Sequence, residues 1–355
     1  MIRGLHILLG LSAMLLVGML HAQQTPVSAQ YQLHPPLVNP AAISLKNSIN
    51  GAMLIQRQWW GHEDAPTTFY LNANAPLIND DNMVGILVVN DNISIHNVFK
   101  FSAIYSRKFK LDQGSFFSLA LSPGLELIQS DYSKINTDFA GDPIFAGQSV
   151  TQTSFNSGFG GYYYNKRFYA GVSIPRLMYN YQEGGNNGES SPKTTIDLNQ
   201  MPLYVNLGWK KDLGPIVTFK PSAMVRYQQG SPMQIDFNAL FEYRETIGVG
   251  VSYRTMNSMN FLANYKLPGD FQVGYAYSMQ FGSQLNPYHS GSHEIMLIYG
   301  MGNVSRTNID LPDQVRDYRK QKDKDVKRAK RGGKKKAGKV KGAPGGARDR
   351  KQPYS

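Results

Sequence analysis

FQVGYAYSMQF, Phe271 to Phe281, sends Phe271, Val273, Tyr275, Tyr277, Met279 and Phe281 to one side of an extended chain. Gln272, Gly274, Ala276, Ser278 and Gln280 fall on the other. MQIDFNALFEYR (Met233–Arg244) repeats the pattern, with Met233, Ile235, Phe237, Ala239, Phe241 and Tyr243 opposite Gln234, Asp236, Asn238, Glu242 and Arg244. LYVNLGWKK does so again, setting Leu203, Val205, Leu207 and Trp209 against Asn206, Gly208 and Lys210. Alternation sustained over about ten residues is the length that a tilted strand needs to cross a bilayer.

About fourteen such segments follow one another, near 50–60, 67–77, 83–90, 97–109, 115–129, 153–164, 166–175, 202–211, 216–228, 233–243, 246–255, 257–266, 270–281 and 292–302. Short turns join them at one end: LDQG (Leu111–Gly114), YNKR (Tyr164–Arg167), KDLGP (Lys211–Pro215) and LPGD (Leu267–Asp270). The longest connections, Ser130–Gln152, Leu177–Met201 and Gly282–Gly291, all fall in the opposite set. The spacing predicts an all-β fold, a transmembrane antiparallel barrel of about 14 strands. With the short turns in the periplasm, the long loops face the cell exterior and both termini lie in the periplasm. A secreted β-sandwich or repeat protein shares the alternation. Two features favour the barrel. Charged residues are only 17% of the chain, below the usual quarter. Rings stand at strand ends, among them Trp59, Trp60, Tyr105, Tyr163, Tyr164, Tyr253 and Tyr265, where a girdle would meet lipid headgroups.

The chain opens with MIRGLHILLGLSAMLLVGMLHAQQ, a basic start at Arg3 and an apolar run too short for a comfortable span. This predicts a signal peptide over 1–22, cleaved after Ala22, although Leu20 is not the small residue preferred three positions before the cut. The chain holds no cysteine, which excludes a lipid-modified cysteine anchor, disulfides and thiolate chemistry. Charge is segregated. Val304 to Ser355 carries eighteen Lys+Arg against six Asp+Glu, the whole formal excess of +12, so the body is neutral.

QRQWWGHEDAPTTFYLNANAPL (Gln56–Leu77) concentrates an arginine, two tryptophans, a histidine and two acids. On the strand count, Trp59 and Trp60 end the first strand as rim anchors, GHEDAP (Gly61–Pro66) is a tight external turn, and TTFYLNANAPL descends. His62, Glu63 and Asp64 are consecutive in a turn and seldom converge on one ion. No trustworthy Ser/His/Asp set, phosphate loop or HExxH motif occurs, so neither an enzyme nor a cofactor is expected. GFGGYYY (Gly158–Tyr164) sits in a strand with no helix after it, a place for close backbone packing or curvature.

Ser28 to Leu77 resembles the amino-terminal signature of the PorP/SprF family of outer-membrane proteins of the type IX secretion system. The elements are QY near the mature start, NPA at Asn39, Pro40 and Ala41, RQ-W at Arg57, Gln58 and Trp60, G-APTT at Gly61 and Ala65–Thr68, and PL closing the first hairpin. YAYSMQFGSQLNPYHSGSHEIMLIYG (Tyr275–Gly300) is similar to the family's last hairpin, with SGSHEI before the final strand. The resemblance implies a non-enzymatic barrel. Its expected partners are secreted proteins carrying a C-terminal sorting domain, periplasmic components of the secretion motor, and outer-membrane lipid. It also implies a link to gliding and adhesin display. Ser130–Gln152 and Leu177–Met201 are the candidate docking platform.

The tail departs from the family pattern, because Ile309 onward continues for about fifty residues. Pro312–Arg331 suits a charged helix, and the Gly-, Lys- and Pro-rich remainder suits disorder. In the periplasm its basic run, Lys327, Arg328, Lys330, Arg331, Lys334, Lys335 and Lys336, would meet lipid phosphates, peptidoglycan carboxylates or an acidic protein face, with no nucleic acid present. The expected organisation is therefore signal peptide 1–22, periplasmic or plug segment 23–47, barrel 48–303 and basic tail 304–355. The competing function is a solute channel or a hydrophobic-molecule transporter of the fatty-acid type. Inward polar residues such as Asn206, Lys220, Arg226, Asp236, Asn238 and Glu242 would line its pore. Gln23–Asn47, with prolines at 26, 35, 36 and 40, is too irregular for a strand and suits a plug, which favours the scaffold.

Overall fold

The computed structural model describes residues 27–62, 64–77, 81–112, 114–134, 149–184, 190–197, 200–255, 258–281 and 290–301. The strands are β1 (Ile49–Arg57), β2 (Thr67–Pro76), β3 (Asn82–Ile93), β4 (His96–Asp112), β5 (Ser115–Asp131), β6 (Ser149–Tyr164), β7 (Phe168–Ile174), β8 (Met178–Gly184), β9 (Ser190–Ile196), β10 (Leu203–Trp209), β11 (Lys211–Asp212), β12 (Val217–Tyr227), β13 (Gln234–Tyr243), β14 (Ile247–Arg254), β15 (Ser258–Lys266), β16 (Phe271–Gln280) and β17 (Ser292–Met301). Each pairs antiparallel with its neighbour. The ring closes where β17 meets β1 and where β10 bridges β7 and β12. Fourteen strands form the closed barrel. The two-residue β11 extends the β12 edge, and β8–β9 is a separate hairpin. Among the described residues, no helix is long and apolar enough to cross a membrane.

Each of the fourteen expected segments is a barrel strand, but the connections differ. β5 and β6 remain paired out to Asp131 opposite Ser149, so both ends of the expected Ser130–Gln152 loop are ladder. The expected Leu177–Met201 connection contains the β8–β9 hairpin. Polar residues occupy both faces in these stretches, as Ser130, Asp131, Ser149 and Thr151 show. A strand that has left the apolar layer is wet on both sides and has no reason to alternate. Residues 135–148, 185–189 and 282–289 of the long connections lie outside the described residues.

The burial pattern is inverted relative to a soluble barrel. Along β1, Ile55 is 50% exposed while Leu54 is 1% exposed, and along β17 Ile295 is 60% exposed while Met296 is 0%. The outward side is apolar over most of the ring, through Met53, Phe101, Leu121, Phe159, Val172, Leu207, Phe237, Val249, Val251 and Phe261. The buried inner side carries Asn50, Gln56, Asn72, Asn74, Asn206, Asp236, Asn238, Asn260, Asn264 and Glu294. Water would not tolerate so much exposed apolar surface in a monomer; lipid requires it, and a closed ring satisfies every backbone group within the layer.

Residues 27–45 fold inside this ring as three 3-10 turns, Ala29–Gln32, Pro35–Leu37 and Pro40–Leu45. The prolines forbid a ladder strand here, and Ser28 and Asn39 accept from the amides of Gln30 and Ala41 at two of the turn starts. The apolar core lies in the lumen. Ala41, Ala42 and Ile43 pack on Met83, Ile104, Ala120, Tyr162 and Tyr164, while Val27, Tyr31 and Val38 pack on Tyr204 and Met224. The Val27 carbonyl accepts from Arg254, the last residue of β14, at 3.2 Å. Lys108, near the β4–β5 turn, donates to Asn47 at 2.6 Å. The segment thus runs from the long-connection end toward the short-turn end. Met301, paired with Ile49, lies at the short-turn end as expected for the C-terminal strand; Val27 lies toward the other. The expected signal peptide (1–22) and the basic tail, including Lys327, Arg328, Lys330, Arg331 and Lys334–Lys336, lie outside the described residues.

Candidate functional site

Glu294 is the hub on the inner wall. It stands on β17 within SGSHEI and faces inward because the next residue, Ile295, faces outward. Its Oε2 accepts from Ser28 Oγ at 2.6 Å, and its Oε1 accepts from the Ala29 amide at 3.0 Å and Gln56 Nε2 at 2.9 Å. A carboxylate buried to 1% exposure is tolerable only with such donors. One side chain therefore ties the start of the lumenal segment to β1 and β17.

Further attachments follow along the segment. Tyr31 hydroxyl pairs with Asn238 Nδ2. His34 Nε2 lies 2.8 Å from Asn72 Oδ1, and burial pushes the imidazole down to about 4, so the ring is neutral and donates there. Asn39 caps Ala41 at 3.0 Å and donates to the carbonyls of Gly161 (3.1 Å) and Val172 (3.2 Å). Ser173 and Ser118 donate to the carbonyls of Val38 (2.6 Å) and Ala41 (3.0 Å), and Tyr164 donates to that of Ser44 at 2.9 Å. Gly160 makes the close approach possible, since a Cβ there would stand 2.3 Å from Asn39 Oδ1 and 3.0 Å from Pro40 Cδ. Asn39 and Pro40 are thus lumenal residues, distant from the lipid-facing motif residues with which the sequence groups them.

The inner wall also carries paired charges. Arg254 grips Asp236 through two hydrogen bonds of 2.9 and 2.8 Å, and Lys220 meets Glu242 at 2.7 Å. Above the segment, toward the long connections, a cavity of about 260 Å³ is lined by Leu37, Val38, Tyr204, Lys100, Glu126 and Arg176. Both cations contact Glu126, at 3.3 and 3.5 Å. Among the described residues no group of three His, Asp or Glu side chains could hold a metal ion; Glu63 lies outside them.

Arg57, Trp59, Trp60 and Gly61 form the end of β1 and the turn after it. Trp59 has φ 48° and Gly61 φ 104°, so the chain reverses through left-handed conformations. The Trp60 amide donates to the Gly291 carbonyl at 2.7 Å, and its carbonyl accepts from the Ser290 amide at 2.9 Å. Arg57 lies opposite His293 in register. The RQ-W and SGSHEI motifs, more than two hundred residues apart in sequence, are one place in space. Sequence reasoning expects Trp60 at the membrane rim; in the structure it is half exposed in the turn after β1. It missed Glu294, Asn72 and Arg254; the only signal for these was a polar residue on the inward register of an alternating strand.

A family model for the type IX secretion system membrane protein PorP/SprF matches residues 20–299. No curated protein matches the chain. Among solved structures the chain shows a distant likeness to the toluene transporter TbuX of Ralstonia pickettii, at 10% identity over 74% of this chain and 92% of that one, with a TM-score of 0.43. A second is the toluene transporter TodX of Pseudomonas putida, at 9% identity over 78% and 94%, also at 0.43. Identities this low leave function untouched, whereas the family match runs from residue 20 into the last strand. The chain is an outer-membrane β-barrel and belongs to the PorP/SprF family of type IX secretion system membrane proteins.

Proposed function

We propose that this barrel is a non-enzymatic scaffold of the type IX secretion system whose lumen is held shut. Its long connections face the cell exterior and dock secreted proteins that carry a C-terminal sorting domain. Its basic tail works in the periplasm, against secretion-motor components or peptidoglycan. The observation that carries this reading is the seated segment 27–45. A channel needs a wet path, yet here the inner-wall residues Glu294, Asn238, Asn72, Ser173, Ser118 and Tyr164 bond to that segment. Surface that does not conduct is left to bind, and loops on a rigid barrel suit that use.

The test is a pull-down of the tagged, detergent-solubilised protein from its own envelope, read by mass spectrometry, with conductance measured in planar bilayers in parallel. Recovery of a secreted protein with a sorting domain, or of periplasmic secretion components, with a silent bilayer is the expected result. A lone barrel that conducts would replace the scaffold by a solute channel.

A further inference from the structure

The lipid-facing side of the β1–β17–β16 seam changes character within one residue row. In the lower row Phe69, Ile55, Ile295 and Tyr275 stand side by side across β2, β1, β17 and β16. Ile55 and Ile295 are among the most exposed apolar side chains of the barrel. In the next row toward the long connections the same strands present Thr67, Arg57, His293 and Tyr277. Apolar chain contact ends and polar chemistry begins between these rows, so this is headgroup depth.

Arg57 lies against one ring of an aromatic cluster. Its guanidinium carbon lies 5.5 Å from the centre of the Trp60 ring. Trp60 meets His293 edge-on at 5.2 Å between centroids. Tyr277 packs on the same imidazole at 5.3 Å, and Tyr275 hydroxyl lies 2.8 Å from His293 Nδ1. Among the described residues Arg57 makes no ion pair, and its Nε is buried with no hydrogen-bond partner. A guanidinium lying against the Trp60 ring at the edge of an apolar layer, with no ion-pair partner among the described residues, is matched by an anion with oxygen acceptors. The apolar rows beneath it select an anion that carries acyl chains.

We infer that Arg57, with Trp60 and His293, forms a binding site for the phosphate headgroup of an anionic lipid in the leaflet at the long-connection end. The acyl chains run down over Ile55, Ile295 and Met53. The site is independent of the scaffold reading, since it needs neither cargo nor a closed lumen.

The full-length protein in non-ionic detergent is titrated with phosphatidylglycerol, with phosphatidylcholine of the same chains, and with inorganic phosphate, and adducts are counted by native mass spectrometry. Heat-modifiable gel migration checks the fold of each variant. The expected result is a phosphatidylglycerol adduct at concentrations where phosphatidylcholine gives none. Arg57→Gln should weaken it about tenfold, as loss of a charge-assisted contact does, and Arg57→Lys and His293→Gln less. An equal adduct on Arg57→Gln and wild type overturns the site, as does equal binding of phosphatidylcholine. Binding of inorganic phosphate as tight as that of the lipid would make the ligand a free anion and overturn the lipid source. Should Arg57→Gln fail to migrate as a barrel, His293→Gln decides on the same criteria.

Discussion

Asn39 shows how much a single residue of a motif can carry. In sequence, NPA is a turn-forming tripeptide with no evident partner; in the structure its first side chain caps a 3-10 turn and clasps two strand carbonyls across a glycine. The glycines of GFGGYYY were legible as a place of close approach, because a strand interior gives glycine no other use. What approaches could not be read, since the partner lies more than a hundred residues away. Gly160→Ala should therefore act on the lumenal segment and leave the ladder alone. With a Cβ forced to within 2.3 Å of a pinned Asn39 Oδ1, a loss of about 2 kcal/mol in seating is expected. The absence of natural cysteine makes Ser44→Cys a unique reporter; its thiol should be shielded from maleimide in the parent and reactive in Gly160→Ala. His34 adds a pH term. Its seated value of about 4 lies below the free value near 6.5, so the unseated state takes up the proton first. Seating strength is complete above pH 6.5 and declines as pH falls through 6.5 toward 4, by at most about 3 kcal/mol. Urea midpoints at pH 7.5 and 4.5 should differ more for wild type than for His34→Gln; equal gaps would show that another group carries the acid sensitivity.

At the scale of elements, strands were legible wherever lipid enforces contrast between two faces, and illegible where it stops. Phe271–Gln280 and Gln234–Tyr243 alternate because one face is in hydrocarbon and the other is in a polar lumen. The outer reaches of β5 and β6 carry polar residues on both faces, as Ser130 and Asp131 do, so their period carries no signal. The lumenal segment was legible only as something that could not be a strand, from its prolines. Its attachment to β17 rests on Glu294, which in sequence is one acid among apolar residues. Glu294→Ala removes the acceptor of three buried donors at once, each costing about 1 kcal/mol or more when left unpaired. The expected consequence is release of the segment's first turn while the β1–β17 ladder persists. A fluorophore attached at Val27→Cys should become mobile by anisotropy, with heat-modifiable migration unchanged; loss of the barrel band instead would mean that Glu294 supports the ladder itself.

The barrel carries its apolar coat outside and a polar inner wall, with residues 27–45 folded inside it. Neutrality of the body and positivity of the tail, both plain in the sequence, place the two parts in different company. The orientation of the cylinder decides which company each keeps. Gln229, in the β12–β13 connection, and Leu213, beyond the other end of β12, are exposed at opposite mouths. In intact cells a membrane-impermeant maleimide should label Gln229→Cys and spare Leu213→Cys, with both labelled after lysis. The reverse pattern would put the long connections in the periplasm and, because Met301 lies at the same end as Leu213, the basic tail outside the cell, where a tether to the secretion motor is impossible. If the expected orientation holds, truncation after Val304 should leave the barrel inserted and heat-modifiable. Among the described residues the ladder is complete with Met301, while periplasmic partners should drop out of the pull-down. Unchanged partners after truncation would return the tail to a solvated appendage and leave docking to the barrel's loops alone.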